Sequence, residues 1–157
     1  MQQELSHIDG DGNAQMVDVS HKKATVRMAR ASGRVEFPQE VFENLAAHQF
    51  LGKKGSILQT ATIAGIQAAK KTAELIPLCH QLQLSKIDID IIPVKNTLRI
   101  VCTVKCTERT GVEMEALTGV SVSALTIYDM CKALSQDIRI SEIRLEQKTG
   151  GKHDFGR

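Results

Sequence analysis

Ile87-Asp88-Ile89-Asp90-Ile91-Ile92-Pro93-Val94-Lys95-Asn96-Thr97-Leu98-Arg99-Ile100-Val101-Cys102-Thr103-Val104-Lys105-Cys106 is the stretch that decides the fold. Ile87, Ile89 and Ile91 alternate with Asp88 and Asp90. Leu98, Ile100, Cys102, Val104 and Cys106 alternate with Arg99, Thr103 and Lys105, with Val101 on that second face. A period of two is the mark of a strand with one buried face. The link Val94-Lys95-Asn96 is short, so the two runs predict an antiparallel hairpin.

Helical patterns flank this hairpin. Upstream, Ser56 precedes an Ala- and Ile-rich run with Gln59 three residues on, a capping-box signature. That helix is expected from about Ile57 to Leu75, ended by Pro77. Downstream, Thr107–Gly111 reads as a turn. A second long helix follows from about Val112 to Ser135, with Met114, Leu117, Ala124, Leu125 and Tyr128 on one broad face. A last strand carries Ile138, Ile140, Ile143 and Leu145, and its alternation slips after Ile140, the sign of a bulge.

Towards the N-terminus, Pro38 opens a short helix bearing Val41, Phe42, Leu45 and Ala46. Thr25–Phe37, interrupted by Gly33, predicts a bent or bulged strand. Setting the short helix aside, the order is β-α-β-β-α-β, the split βαβ arrangement. The expectation is a ferredoxin-like α+β fold: a four-stranded antiparallel sheet, both long helices on one face, and one short extra helix. The other face, with Asp88, Asp90, Arg99, Thr103 and Lys105, is left for water or another subunit. Residues 1–157 read as a single domain. Residues 1–24, with the Asp9–Asn13 turn signal, read as an N-terminal arm, and 149–157 as a Gly-rich tail.

Composition narrows the function. Aromatics make up 3% of the chain and Trp is absent, so the side chains that stack bases are scarce. Net charge is +2, so any phosphate site must be a local cluster, not a whole-protein field. The expectation is no nucleic-acid and no membrane partner, since no run approaches the roughly 18 apolar residues of a span. Cys79, Cys102, Cys106 and Cys131 form no Cys-x-x-Cys pair, and Met1-Gln2-Gln3-Glu4 lacks a leader pattern; both point to free thiols in the cytoplasm.

Five groups carry candidate chemistry. Lys53-Lys54-Gly55-Ser56, before a helix N-terminus, reads either as a solvated basic turn or as a phosphate cradle. His80, after Pro77-Leu78-Cys79, reads as structural or as a proton carrier. No further Cys or His ligands lie near enough to make Cys79 and His80 a metal pair. Glu113 and Glu115 suit the start of a helix, or acceptors for an amino-bearing heterocycle. Asp129 and Lys132, three apart, share a helix face: either an exposed ion pair or an enclosed acid–base pair. Lys148 and Lys152 flank Thr149-Gly150-Gly151, a frayed end or a flexible clasp on phosphate.

Longer motifs identify a family. Met16-Val17-Asp18-Val19-Ser20, Ile63-Ala64-Gly65-Ile66-Gln67-Ala68-Ala69-Lys70 and Leu75-Ile76-Pro77-Leu78-Cys79-His80 form one group. Thr110-Gly111-Val112-Glu113-Met114-Glu115-Ala116-Leu117-Thr118 and Leu125-Thr126-Ile127-Tyr128-Asp129-Met130-Cys131-Lys132-Ala133 form the other. Together they closely resemble the molybdenum cofactor biosynthesis protein C family, from about Leu5 to Phe155. The resemblance implies a ferredoxin-like fold and hexamers built as trimers of dimers, with active sites at dimer interfaces. It implies conversion of 3′,8-cyclo-7,8-dihydroguanosine 5′-triphosphate, supplied by a partner radical enzyme, to cyclic pyranopterin monophosphate and diphosphate. By position it implies Asp129, Lys132 and Lys54 as catalytic residues. It implies Leu78, Cys79, His80, Glu113, Met114, Glu115, Arg27 and Lys148 as substrate-binding residues. No resident metal or redox cofactor is implied, Mg²⁺ with the diphosphate aside. Asp18 lies in a matching motif with no role attached. Gln15 stands where some relatives carry His, and the Gly151–Phe155 tail is one residue short of the common form, which leaves Lys152 unplaced.

Two rival classes remain on the residues alone. A non-catalytic nucleotide-binding module would share the fold, because fold does not decide function; it would have no need of proton carriers such as Asp129, Lys132, His80 and Lys54. An RNA-binding domain of this fold would show aromatics on its central strands, and 86–92 and 97–107 contain none.

Overall fold

The computed structural model of the chain describes residues 5–157, so the reading of Met1-Gln2-Gln3-Glu4 lies outside the described residues. In chain order the elements are β1 (Thr25–Glu36), α1 (Gln39–Ala47), β2 (Leu51–Gly52), β3 (Gly55–Ser56), α2 (Ile57–Lys70) and α3 (Thr72–Leu75). There follow β4 (Leu84–Val94), β5 (Thr97–Glu108), α4 (Glu113–Cys131), β6 (Arg139–Thr149) and β7 (Phe155–Gly156).

The hairpin forms in the expected register. Ile89 faces Cys102, Ile91 faces Ile100 and Val94 faces Thr97. Leu98, Ile100, Cys102 and Val104 are fully buried, while Arg99 and Lys105 point to solvent. β1 lies between β5 and β6, giving the antiparallel order β4-β5-β1-β6-β7 with split βαβ connectivity. α2 and α4 pack together on one face of this sheet and close the core around Ala29, Ala31, Val35, Val104, Ala116, Val120 and Ile127. The slip read after Ile140 is a true irregularity. The β1–β6 register shifts between Arg30 and Ala31 and again around Gly33, and Glu142 on β6 adopts a φ of 52°.

Several boundaries differ from expectation. The sheet has a fifth strand, because the tail turns back and pairs Phe155 with Lys148, so it is not a loose end. The helix expected through Leu75 stops at Lys70: Thr72 is buried and its hydroxyl donates to the Ala69 carbonyl at 2.9 Å, an alternative to the helical ladder. The last long helix stops at Cys131, with Leu134 left half exposed. Of its expected face, Ala124 is buried and Leu117 and Tyr128 pack against the core, whereas Met114 and Leu125 are exposed. The rest of the inward face is Ala116, Gly119, Val120, Ser123, Ile127 and Cys131.

The reason is the helix crossing. α2 meets α4 at Gly65 and Gly119, and larger residues there would hold the backbones apart. A Cβ on Gly65 would overlap Ser123 Oγ and lie 2.8 Å from the Gly119 carbonyl oxygen; one on Gly119 would lie 2.8 Å from Cys102 Sγ. Ser123 is fully buried and donates to the Ala61 carbonyl at 2.9 Å across the same contact. Gly65→Ala is therefore expected to destabilise by about 1–3 kcal/mol through overpacking, despite the higher helix propensity of Ala. Denaturant titration of the two proteins checks this, and an unchanged midpoint would mean the helices do not touch there.

Candidate active site

At the C-terminal end of α4, Lys132 Nζ donates to Asp129 Oδ1 at 2.7 Å. The hydrogen bond from Lys132, then its charge, holds the Asp129 carboxyl below the usual range, and Lys54 adds a smaller pull in the same direction. Reciprocally, Asp129 raises the Lys132 ammonium. At neutral pH the resting pair is carboxylate plus ammonium: a proton acceptor beside a donor.

Lys53 and Lys54 form the tip of the β2–β3 ribbon. Ser56 caps α2, accepting from the Gln59 N–H at 3.2 Å, as the sequence implied. Asn44, His48, Lys53, Lys54, Asp129 and Lys132 line one open cavity of about 540 Å³. Of the two readings of the Asp129–Lys132 pair, the single chain shows the exposed one. Their side chains are 60% and 62% exposed, because Ile127 and Cys131 take the inward positions.

The N-terminal end of α4 gathers a second cluster. Arg27 faces Cys106 and Lys148 faces Ala29 across the sheet, so both basic residues extend the buried face beyond its apolar part. Lys148 Nζ pairs with Glu113 at 3.1 Å. Arg27 Nη2 donates to the Arg109 carbonyl at 3.3 Å, while its buried Nε has no partner among the described residues. Gly150, at a φ of 88°, lets the tail pass directly over the Val26 carbonyl, where a Cβ would collide. Thr25 Oγ1 donates to the Gly150 carbonyl at 2.8 Å and ties the tail to β1.

Glu115 sits beneath this cluster and is only 4% exposed. Burial pushes its carboxyl up to about 7; a hydrogen bond with its own backbone opposes the shift, and the Glu113 charge assists it. Cys79 is half-buried, its thiol raised first by burial and then by the Glu115 charge, so the 78–80 turn belongs to the same end. Cys79 N–H donates to the Ile76 carbonyl at 3.1 Å, and His80 Nε2 meets the Val17 carbonyl at 2.7 Å. Leu78 is half-buried beside them and Met114 is exposed. Cys106, buried among Glu108, Glu115, Arg27 and Glu113, is pushed up to about 11, chiefly by burial, and remains a thiol.

One protomer thus holds two groups that it does not bring together. Lys54, Asp129 and Lys132 occupy one end of α4; Arg27, Cys79, His80, Glu113, Glu115 and Lys148 occupy the other. From Glu113 to Asp129 the helix rises about 24 Å, at roughly 1.5 Å per residue. Sequence reading missed His48 and Asn44, whose helix showed only its apolar period. It also missed the Val17 and Arg109 carbonyls, which no side-chain pattern reveals. A separate cleft of about 420 Å³ at Phe37, Asn96, Glu36 and Arg139 contains none of the expected site residues. Among the described residues, no group of three or more His, Cys, Asp or Glu is arranged to hold a metal ion, and no helix is long and apolar enough to cross a membrane.

The raised Glu115 carboxyl has a consequence for stability. Its unfolded value is 4.5 and its folded value about 7, so the folded state increasingly holds a proton that the unfolded state has lost. Its contribution therefore falls as pH rises from 4.5 to about 7 and is constant above. Glu115→Gln is expected to stabilise the protein above pH 7, with the advantage fading towards pH 4.5. Thermal midpoints of both proteins across that range check it.

The likeness to known proteins runs along nearly all of this framework. The MoaC family model matches residues 16–151, which include every residue of both clusters. A Xanthomonas campestris protein named cyclic pyranopterin monophosphate synthase is 53% identical over 154 residues, covering 97% of this chain and 93% of its own length. A Campylobacter jejuni protein of the same name is 53% identical over 150 residues, 94% of each chain. A Drosophila melanogaster protein named molybdenum cofactor biosynthesis protein 1 is 51% identical over 98% of this chain, which spans 27% of that longer protein. With a family model over both α4 ends and more than half the residues shared with relatives of matching length, the chain belongs to the MoaC family.

Proposed function

We infer that the chain is an enzyme of molybdenum cofactor biosynthesis that performs the step its relatives are named for, formation of cyclic pyranopterin monophosphate. The substrate in this reading is 3′,8-cyclo-7,8-dihydroguanosine 5′-triphosphate, made by a partner radical enzyme. The guanine-derived ring is opened and rebuilt as a pterin. A ribose hydroxyl then attacks the α-phosphorus, a new O–P bond forms, the bond to the β-phosphate breaks, and diphosphate leaves.

The observation that carries this reading is the Asp129–Lys132 contact at 2.7 Å beside Lys54 in one cavity. The ring steps need groups that accept and donate protons within hydrogen-bond reach, and an ionised carboxylate beside an ammonium offers both. The phosphate step needs cations to offset charge on the leaving diphosphate. Arg27, Lys148 and the Lys53–Lys54 tip meet that need, while Glu113 and Glu115 offer acceptors to ring N–H groups. His80, Cys79 and Leu78 line the heterocycle end, with Met114 beside them. No resident metal or redox cofactor enters this scheme, Mg²⁺ with the diphosphate aside; turnover that persists after removal of transition metals, with Mg²⁺ supplied, is the expected result.

The separation of the two clusters supports a shared site. A substrate that needs both must lie where the N-terminal end of α4 in one protomer approaches the C-terminal end in another. Repeated across a closed assembly, this is the hexamer, a trimer of dimers, that the family resemblance implies.

Asp129→Asn removes a proton carrier while preserving shape. It should lower turnover by about 10²–10⁴-fold without changing the oligomer, measured as pyranopterin and diphosphate released from the cyclic triphosphate. Near-normal turnover would remove Asp129 from the chemistry. Lys54→Ala should lower turnover in the same assay; unchanged turnover and affinity would reduce the ribbon tip to ordinary surface. Tight binding of the triphosphate by the wild-type protein with no product would favour a non-catalytic nucleotide-binding module instead.

A further inference from the structure

His80 does not stand free at the end of α4. Its Nε2 lies 2.7 Å from the backbone carbonyl of Val17, 63 residues earlier in the chain. A carbonyl oxygen only accepts, so Nε2 must carry the hydrogen. Both Val17 and His80 are half-buried, and Val19 beside them is as well, in an arm whose other residues from 10 to 21 are exposed. The arm is shaped locally at this point. Asp18 Oδ1 accepts from the Ser20 N–H at 2.8 Å, and the Lys22 N–H donates to the Val19 carbonyl at 3.0 Å, so two short turns follow the contact. The chain then enters β1, whose Arg27 belongs to the same cluster as His80. The Met16–Ser20 motif has no other task among the contacts of the described residues.

We propose that the Met16–Ser20 segment is a positioning element of the active site: the Val17 carbonyl holds the His80 ring and occupies Nε2, so Nδ1 is the ring atom that serves the substrate. The proposal rests on the functional reading above, in which His80 borders the heterocycle. It has three consequences. Proton traffic through His80 passes by Nδ1 alone. The ring is oriented by a backbone group, so no side-chain substitution at residue 17 removes the tether directly. Asp18 acts through its turn and not through its charge, which explains a carboxylate in the motif that touches none of the clustered residues.

The tether is tested on the full-length chain with four variants. His80→Asn puts an amide near the Nδ1 position, whereas His80→Gln puts one near Nε2. An amide hydrogen-bonds but shuttles no proton, so turnover should fall in both variants, while the asparagine variant should bind the cyclic triphosphate at least about tenfold more tightly than the glutamine variant because it alone keeps a group at the Nδ1 position. Tighter binding by the glutamine variant would assign Nε2 to the substrate and overturn the proposal, as would equal affinity in both. Asp18→Gly frees the segment, whereas Asp18→Asn keeps an acceptor for the Ser20 N–H. Asp18→Asn should match the wild-type protein, and Asp18→Gly should lower kcat with little change in KM. Equal loss in both would make the Asp18 charge the active feature and overturn the turn assignment. Nitrogen-15 spectra of the imidazole rings, with the His80 signal identified by its loss in His80→Gln, should show a protonated Nε2 and a bare Nδ1 in the wild-type protein. A bare Nε2 would overturn the tether outright. Turnover by the wild-type chain in the same assay tests the functional reading itself, so the two failures are distinguishable.

Discussion

A helix cannot shorten, and α4 separates Glu113 from Asp129 by about 24 Å along its axis. The candidate site residues gather at one end or the other of that rod. The sheet and α2 serve to hold it: Gly65 and Gly119 let the two helices meet backbone to backbone, and Val120, Ala124 and Ile127 anchor α4 in the core. The charges at its ends are therefore set by a rigid spacing and not by flexible loops.

The two ends differ in character. The C-terminal cluster is open and ionised, with Asp129 and Lys132 each holding the other charged. The N-terminal cluster is enclosed by the tail, the arm and the 78–80 turn. Its buried Glu115 is poised near neutrality, and its Cys106 is held as a thiol. Asp129 and Lys132 are more than half exposed in the single chain.

The hairpin was legible because one face of each strand is buried and the side-chain period is two, so Leu98 to Cys106 could be read without ambiguity. The bulge near Ile140 was legible for the same reason, as a break in that period. The inward face of α4 was legible only in part: Ala124, Leu117 and Tyr128 lie on it, but so do Ala116, Gly119 and Ser123, small residues at the close approach to α2, while the conspicuous Met114 and Leu125 point outward. Hydrophobic patterning weighs size and polarity, and a small-residue crossing carries little of either signal. The tail strand was missed because β7 pairs only Phe155 and Gly156, too short for any period. At the site, residue identities came from long motifs that resemble one family. Spacing alone could not tell that His80 and Asp129 lie at opposite ends of one helix, and a carbonyl such as that of Val17 leaves no trace in side-chain patterns.

The central claim is that a working site draws one end of α4 from each of two protomers. Asp129→Asn disables the C-terminal half, and Arg27→Ala disables the N-terminal half. Each protein is to be assayed alone and after the two are mixed under conditions that exchange subunits. If sites are shared, random pairing makes half the dimers mixed, each with one intact site of two, so the mixture should regain about a quarter of wild-type turnover from two nearly inactive parents. If a single protomer supplied the whole site, exchange would yield no more turnover than the average of the two parents, and the account would be contradicted.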